Sequence, residues 1–231
     1  WRIGLMDIQT RSDEILNTAA ENFGVISLQR KVFDRSNVSL IFINKQAVKL
    51  NENLINQSQY NRNIGLEYNY FSADNLWNSK LMFLKSLSPI KKKQGEVFAS
   101  HIEYQSTGWK WKLQQEYITG NYSAEVGFIP RNNYIKIQAT VGHLTYTKKN
   151  TSHLSHGPSI ERTYYFDTDF NKKDQTEQFD YLFNFKNRSG FSIGIRRQYI
   201  ELLSDFDPLR TNISFLFAGS THQWNSYKIK Y

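Results

Sequence analysis

The chain has 231 residues, with 29 Lys and Arg against 21 Asp and Glu for a formal net charge of +8, 4 Pro and no Cys. That length suits one domain or two small ones, and the missing thiol excludes a disulfide scaffold, a Cys-ligated zinc or iron–sulfur site and a cysteine nucleophile. Aromatic residues reach 15% (5 Trp, 14 Tyr, 16 Phe) at a mean hydropathy of −0.59, which excludes disorder and sets large rings in a polar, Asn- and Lys-rich background.

The chain opens Trp1-Arg2-Ile3-Gly4, with neither an initiator Met nor a charged-then-apolar leader, as expected of a processed protein or of a piece of a longer one. No run of 18 apolar residues occurs, so no transmembrane helix is expected. A closed β-barrel remains the other way to satisfy every backbone group inside a bilayer. Helical periodicity is confined to Glu14–Asn22. Elsewhere the pattern has period two, and side chains that alternate along a strand make one apolar and one polar face.

Twelve segments carry this pattern, at about 1–10, 22–33, 36–45, 60–71, 76–86, 95–106, 108–118, 133–146, 152–170, 177–187, 190–201 and 223–231. In the fourth, Ile64, Leu66, Tyr68 and Tyr70 alternate with Gly65, Glu67 and Asn69. In the seventh, Trp109, Trp111, Leu113 and Tyr117 oppose Lys110, Lys112, Gln114 and Glu116. In the eighth, Ile135, Ile137, Ala139 and Val141 oppose Lys136, Gln138 and Thr140. In the tenth, Phe179, Tyr181, Phe183 and Phe185 oppose Asp180 and Asn184. Such lengths match the 9–11 residues a tilted strand needs to cross a bilayer. Short turns at 34–35, 72–75, 107, 148–150 and 187–190 alternate with mostly longer loops at 11–21, 45–59, 87–94, 119–132 and 202–222 and a shorter one at 171–176, the rhythm of an outer-membrane barrel. The Ile90–Gln94 charge run reads as a solvated loop.

A soluble antiparallel sandwich would share the alternation. Against it, so many wide apolar faces would crowd a soluble core with Tyr and Trp, each needing a polar partner. Rings also gather near segment ends (Phe33, Tyr70, Phe71, Trp77, Trp109, Tyr117, Tyr146, Phe170, Tyr199, Trp224, Tyr231), as in interfacial girdles. The fold expected is therefore all-β, a transmembrane antiparallel up-and-down β-barrel with about twelve strands in residues 1–231.

Specific landmarks sharpen this. They are Gly4-Leu-Met-Asp-Ile-Gln-Thr-Arg11, the stretch Asn22–Phe33, Tyr60-Asn-Arg-Asn-Ile-Gly-Leu66, Glu125-Val-Gly-Phe-Ile-Pro-Arg131, Phe206-Asp-Pro208 and Trp224–Tyr231. Together they make the chain similar to a Bacteroidota outer-membrane barrel domain of unknown function that follows a family-9-like carbohydrate-binding module. The resemblance implies a longer protein, with the sugar-module-like domain and first strands upstream and further strands downstream. The aromatic Tyr231, after alternating Tyr227 and Ile229, permits instead a closed twelve-stranded barrel that ends here.

Motifs of chemistry are sparse. No Gly-rich phosphate loop, nucleophile elbow or zincin motif occurs. His153-x-x-His156 lacks a third ligand and reads as a solvated or hydrogen-bonded pair at a turn. Asp167 and Asp169 alternate with Phe166, Thr168 and Phe170, which would aim both carboxylates one way, as weak candidates for an acid–base couple or half a calcium site, or as ordinary lumen charges. Asp205 and Asp207 read as turn chemistry beside Pro208. Glu125 and Arg131 bracket the most specific landmark, either as an ion pair that pins a folded loop or as ligand contacts at a barrel mouth. The basic excess is spread over predicted lumen positions and loops, facing Asp7, Glu67, Glu103, Glu116 and Asp180, so no nucleic-acid partner is expected. No cofactor or metal is expected either. The partners expected are the lipid bilayer and lipopolysaccharide of a bacterial outer membrane, a glycan, and other outer-membrane proteins. The function expected is a non-enzymatic anchor, channel or assembly component tied to glycan binding or uptake. A membrane-associated carbohydrate hydrolase and a soluble lectin-like domain are the alternatives.

Overall fold

The computed structural model describes residues 1–13, 15, 19–48, 58–89, 94–148, 152–211, 213 and 215–231. Residues 14 and 16–18 of the Glu14–Asn22 segment and residues 90–93 of the charge run lie outside the described residues, and Glu21 and Asn22 belong to a strand.

Thirteen strands form one antiparallel sheet: β1 (Arg2–Gln9), β2 (Glu21–Val32), β3 (Ser36–Ala47), β4 (Tyr60–Phe71), β5 (Trp77–Leu87), β6 (Gly95–Gln105), β7 (Trp109–Ile118), β8 (Tyr134–His143), β9 (Thr145–Tyr146), β10 (His153–Phe166), β11 (Lys172–Phe185), β12 (Gly190–Glu201) and β13 (Thr221–Lys230). Their order in the sheet is their order in the chain, with the two-residue β9 a side branch on β10. Among the described residues the sheet is up-and-down and is not closed, since β1 pairs with β2 and β13 with β12 at its two edges.

The turns explain the register. Between β2 and β3 a three-residue connection closes on the pair Val32 and Ser36, with Phe33 in the left-handed region at φ 54°. Between β4 and β5, Asp74 accepts from the Ser72 hydroxyl and the Leu76 amide, and Asn75 takes φ 63°. Between β6 and β7 only Thr107 and Gly108 lie inside the bond from Ser106 N to Trp109 O.

Two boundaries depart from the alternation pattern. Residues 167–170 do not continue β10, because the Asp167 carboxylate accepts from the amides of Asp169 and Asn171 and Phe170 sits at φ 64°. This local side-chain capping offers the backbone a turn in place of a ladder. Residues 172–176, read from the pattern as loop, are instead the start of β11. The expected single strand at 133–146 is also interrupted at Leu144, whose amide bonds to Gly108 O instead of continuing the ladder.

The chain divides into two compact units, Trp1–His101 with Glu116–Tyr134, and Ile102–Gln115 with Ile135–Tyr231. In each, burial is inverted relative to a water-soluble sheet. Along β4, Asn61 and Asn63 are 0% and 4% exposed, whereas Ile64 and Leu66 on the opposite face are 44% and 53% exposed. Register aligns this apolar face across the first unit: Leu5 with Ile26, Ile26 with Phe42, Phe42 with Ile64, and Leu66 with Phe83. In the second unit it aligns Val141 with Ile160, Ile160 with Phe179, Phe179 with Ile195 and Ile195 with Tyr227. Asp7 stands on the face of Ile3 and Leu5, not on the polar face, and is held there by the Asn22 amide at 2.7 Å.

Candidate functional site

The polar face of the first unit is a bonded network. Gln29 donates to Asn37 at 2.9 Å and to Ser39 at 3.2 Å, Asn69 donates to Asn37 at 3.0 Å and to Glu67 at 2.6 Å, and Lys80 pairs with Glu67 at 3.0 Å. In the second unit the same face joins Arg196 to Gln178 at 2.8 Å, Gln178 to Asp180, and Asn184 to Ser155 at 3.0 Å. Lys110 and Glu103, both expected among lumen charges, lie 3.6 Å apart.

At the long-loop end of the first unit, residues 119–133 fold back across this polar face. Glu125 is the anchor. Its carboxylate meets Lys45 of β3 at 2.9 Å and accepts from the Ser58 hydroxyl at 2.7 Å, and Lys45 reaches Glu21 of β2 at 2.7 Å on its other side. Below it, Asn61 of β4 clamps the loop backbone. Asn61 donates its amide to Ser123 O at 3.1 Å, while its oxygen accepts from Glu125 N at 3.2 Å and from Asn63 at 2.8 Å. Ser86 of β5 accepts from Ser123 N at 3.1 Å. Tyr122 packs over Gly95 and is 4% exposed; a Cβ on Gly95 would fall 2.1 Å from Tyr122 Cα. Burial pushes the Tyr122 hydroxyl above its ordinary pKa, so the ring stays neutral. Each of these contacts satisfies a polar group that the loop would otherwise bury unpaired.

Of the residues singled out from sequence, Glu125 therefore holds a folded loop, and the cation the structure places on it is Lys45. Arg131 lies farther along the same loop, half-buried. Asp167 and Asp169 do not share a strand face. Asp167 caps its own turn, and the bonds from Asn171, first its side chain and then its backbone amide, hold the carboxyl below its ordinary range. Asp205 and Asp207 accept from Ala218 N and Leu209 N, both within the loop between β12 and β13. His153 and His156 lie in β10 and not at a turn. A bulge between His153 and Ser155 brings their rings to 5.5 Å, and His156 Nδ1 lies 2.6 Å from the Tyr181 hydroxyl. Among the described residues no group of three His, Cys, Asp or Glu could hold a metal ion.

At the short-turn end of the second unit a cavity of about 490 Å³ is lined by Gly108, Trp109, His143, Tyr146, Gly157 and Leu182 among others, with the Trp109 and His143 rings 4.4 Å apart. Lys45, Ser58 and Asn61 carry no motif that marks them in the sequence as partners of Glu125. The one signal was the density of the Glu125–Arg131 landmark itself. Compared with protein-family models, curated proteins and solved structures, the chain matches none.

Proposed function

We propose that this chain is the membrane-spanning part of an outer-membrane β-barrel protein, a non-enzymatic anchor or channel component whose polar face lines a lumen. The observation that carries the reading is the inverted burial of β4, with Asn61 and Asn63 enclosed while Ile64 and Leu66 are open to the surroundings. Water does not favour that arrangement, since each exposed aliphatic side chain forgoes roughly 1.5–3 kcal/mol of burial. A bilayer does, because lipid replaces the missing core while the ladder satisfies the backbone groups of every strand between the two edges. In the same reading, the 119–133 loop crosses one end of the lumen and sets what passes. A glycan solute is the chemistry the family resemblance implies for it.

The apolar band also has an edge on the long-loop side. In the first unit it ends toward the long loops at a polar row of Asp7, Asn44 and Arg62, with Arg62 donating to Asn44 at 3.1 Å and to Gln46 at 3.4 Å. Strands that project past the bilayer on the long-loop side are the habit of outer-membrane barrels.

The test is a period-two scan. Nitroxide labels at positions 63 to 67, with the protein in lipid vesicles, should report oxygen access at 64 and 66 and exclusion of a water-soluble nickel chelate there. Positions 63 and 67 should show the reverse order or neither. Free access of the nickel chelate to positions 64 and 66 would overturn the membrane reading.

A further inference from the structure

One rung of the apolar face in the second unit is charged. Arg162 pairs in register with Glu177, Glu177 with Arg197, and Arg197 with Asn225. The next rung toward the short turns is wholly apolar or aromatic, with Ile160, Phe179, Ile195 and Tyr227. In register, Glu177 thus stands between Arg162 and Arg197. Arg162 Nε lies 3.4 Å from Glu177 Oε1 with the Arg162 side chain 60% exposed, and Glu177 also accepts from the Tyr164 hydroxyl at 3.2 Å. With the Gln223 amide turned so that its oxygen faces the guanidinium, that oxygen accepts from Arg197 Nη2 at 2.7 Å and from Nε at 2.6 Å. Over this rung and the next lies an open cavity of about 520 Å³, lined by Arg162, Glu177 and Arg197 and by Ile160, Phe179 and Ile195 among others.

We infer that this cavity binds a phosphorylated lipid, with its phosphate on Arg162 and Arg197 and its first acyl carbons over Ile160, Phe179 and Ile195. The inference rests on the membrane reading above. The chemistry follows from this lining. Planar guanidinium forks favour phosphate oxygens, and two of them against one carboxylate leave a net positive rung. An apolar floor directly beneath suits acyl chain and not a soluble anion. The rung also lies at the long-loop margin of the apolar band, where headgroups meet hydrocarbon. The corresponding margin of the first unit lacks the feature, because its row in register is Asp7, Gly24, Asn44 and Arg62, with a single guanidinium and a carboxylate in the same row.

The experiment is native mass spectrometry of the detergent-solubilised protein with lipid A, with the same glycolipid stripped of its phosphates, and with inorganic phosphate alone. Lipid A should be retained in preference to the stripped form. Arg162→Gln and Arg197→Gln should each weaken retention by about tenfold or more, the scale of a lost charge-assisted bond. Arg62→Gln should leave it unchanged, and Glu177→Gln should strengthen it by freeing the Arg162 guanidinium and removing the one negative charge of the rung. Should the Gln variants fail to fold, Arg162→Lys and Arg197→Lys, which keep charge without the fork, should still lose part of the preference. Equal retention of both glycolipids, no effect of the Arg substitutions, or capture of inorganic phosphate without preference for the lipid would each overturn the site. A protein that inserts in bilayers yet shows no such preference refutes this inference alone. A protein that does not insert refutes the membrane reading with it.

Discussion

The Glu125 carboxylate lies 2.9 Å from the Lys45 ammonium, which precedes it by eighty residues. This contact and the Asn61 clamp below it hold residues 119–133 on the polar face, so the order of the loop depends on strands formed long before it in the chain. Loops are ordinarily more mobile than the strands they connect. Here Lys45, Asn61 and Ser86 are strand side chains whose own positions are fixed by the ladder, and Ser58 stands just before β4.

Glu125→Gln should release the loop without unfolding the sheet. Lys45 keeps Glu21 at 2.7 Å, so the loss is confined to the bonds at Glu125. Hydrogen bonds to charged groups contribute about 1.5–3 kcal/mol, and local opening of 119–133 should become easier by an amount of that order. Hydrogen exchange at the Ser123 and Glu125 amides is the measurement; protection equal to wild type would show that the ion pair contributes nothing.

Asn61→Leu should be the more damaging change. It removes partners from Ser123 O, Glu125 N and the Asn63 amide at once, at a position with no exposure to water. Leaving buried polar groups unpaired costs roughly 1–3 kcal/mol each. Denaturant unfolding should show a larger loss for Asn61→Leu than for Glu125→Gln, and the reverse order would remove the clamp from the account.

Gly95→Ala tests the same loop from the other side without touching a polar group. The new methyl would fall 2.1 Å and 2.2 Å from backbone atoms of Tyr122, which cannot rotate away as a side chain could. Tyr122 should lose its burial, and its hydroxyl should then titrate nearer its ordinary range. Absorbance titration of the phenol in wild type and variant reads this directly.

On the opposite face, Leu66→Lys separates bilayer from water. A lysine on the lipid face costs about 2–4 kcal/mol at the bilayer midplane, whereas surface changes in water stay within roughly 0.5 kcal/mol. Because Leu66 is 53% exposed, a soluble protein should accept the change nearly freely. Refolding yield into vesicles, compared with stability in detergent, gives the answer.

The turn after β10 should be acid-resistant. The folded-state pKa of Asp167 is depressed by the bonds from Asn171, so its contribution is complete above the ordinary carboxylate value and is lost only as pH falls through the lower folded value. Asp74 follows the same sign in the turn after β4, held down first by Ser72 and then by the Leu76 amide. Amide exchange at Asn171 and Leu76 should therefore stay slow through mildly acidic pH and rise only below it. Asp167→Ala with Asp169→Ala should loosen this turn and leave the rest of the sheet intact.

Much of this architecture is legible in the sequence. Period-two alternation depends on neighbours two residues apart, so it marked strands such as Tyr60–Phe71 and assigned Ile64 and Leu66 to one face and Gly65 and Glu67 to the other. It erred where local side-chain chemistry imitates alternation, as at Phe166-Asp-Thr-Asp-Phe170, where Asp167 turns the chain. Spacing alone placed His153 and His156 at a turn, whereas both lie in β10, where a bulge brings together rings that an unbroken strand would separate.

What the sequence by itself determined is the set of strands, their two faces and the alternation of short and long connections, because these follow from local periodicity and turn residues. Register and long-range pairing were decided only in the folded sheet. Nothing near Glu125 in the chain specifies Lys45, Ser58 or Asn61, and nothing near Arg162 specifies Glu177 or Arg197. The ladder aligns them across strands, and the energy of each contact exists only after the backbone hydrogen bonds have fixed which residues stand side by side.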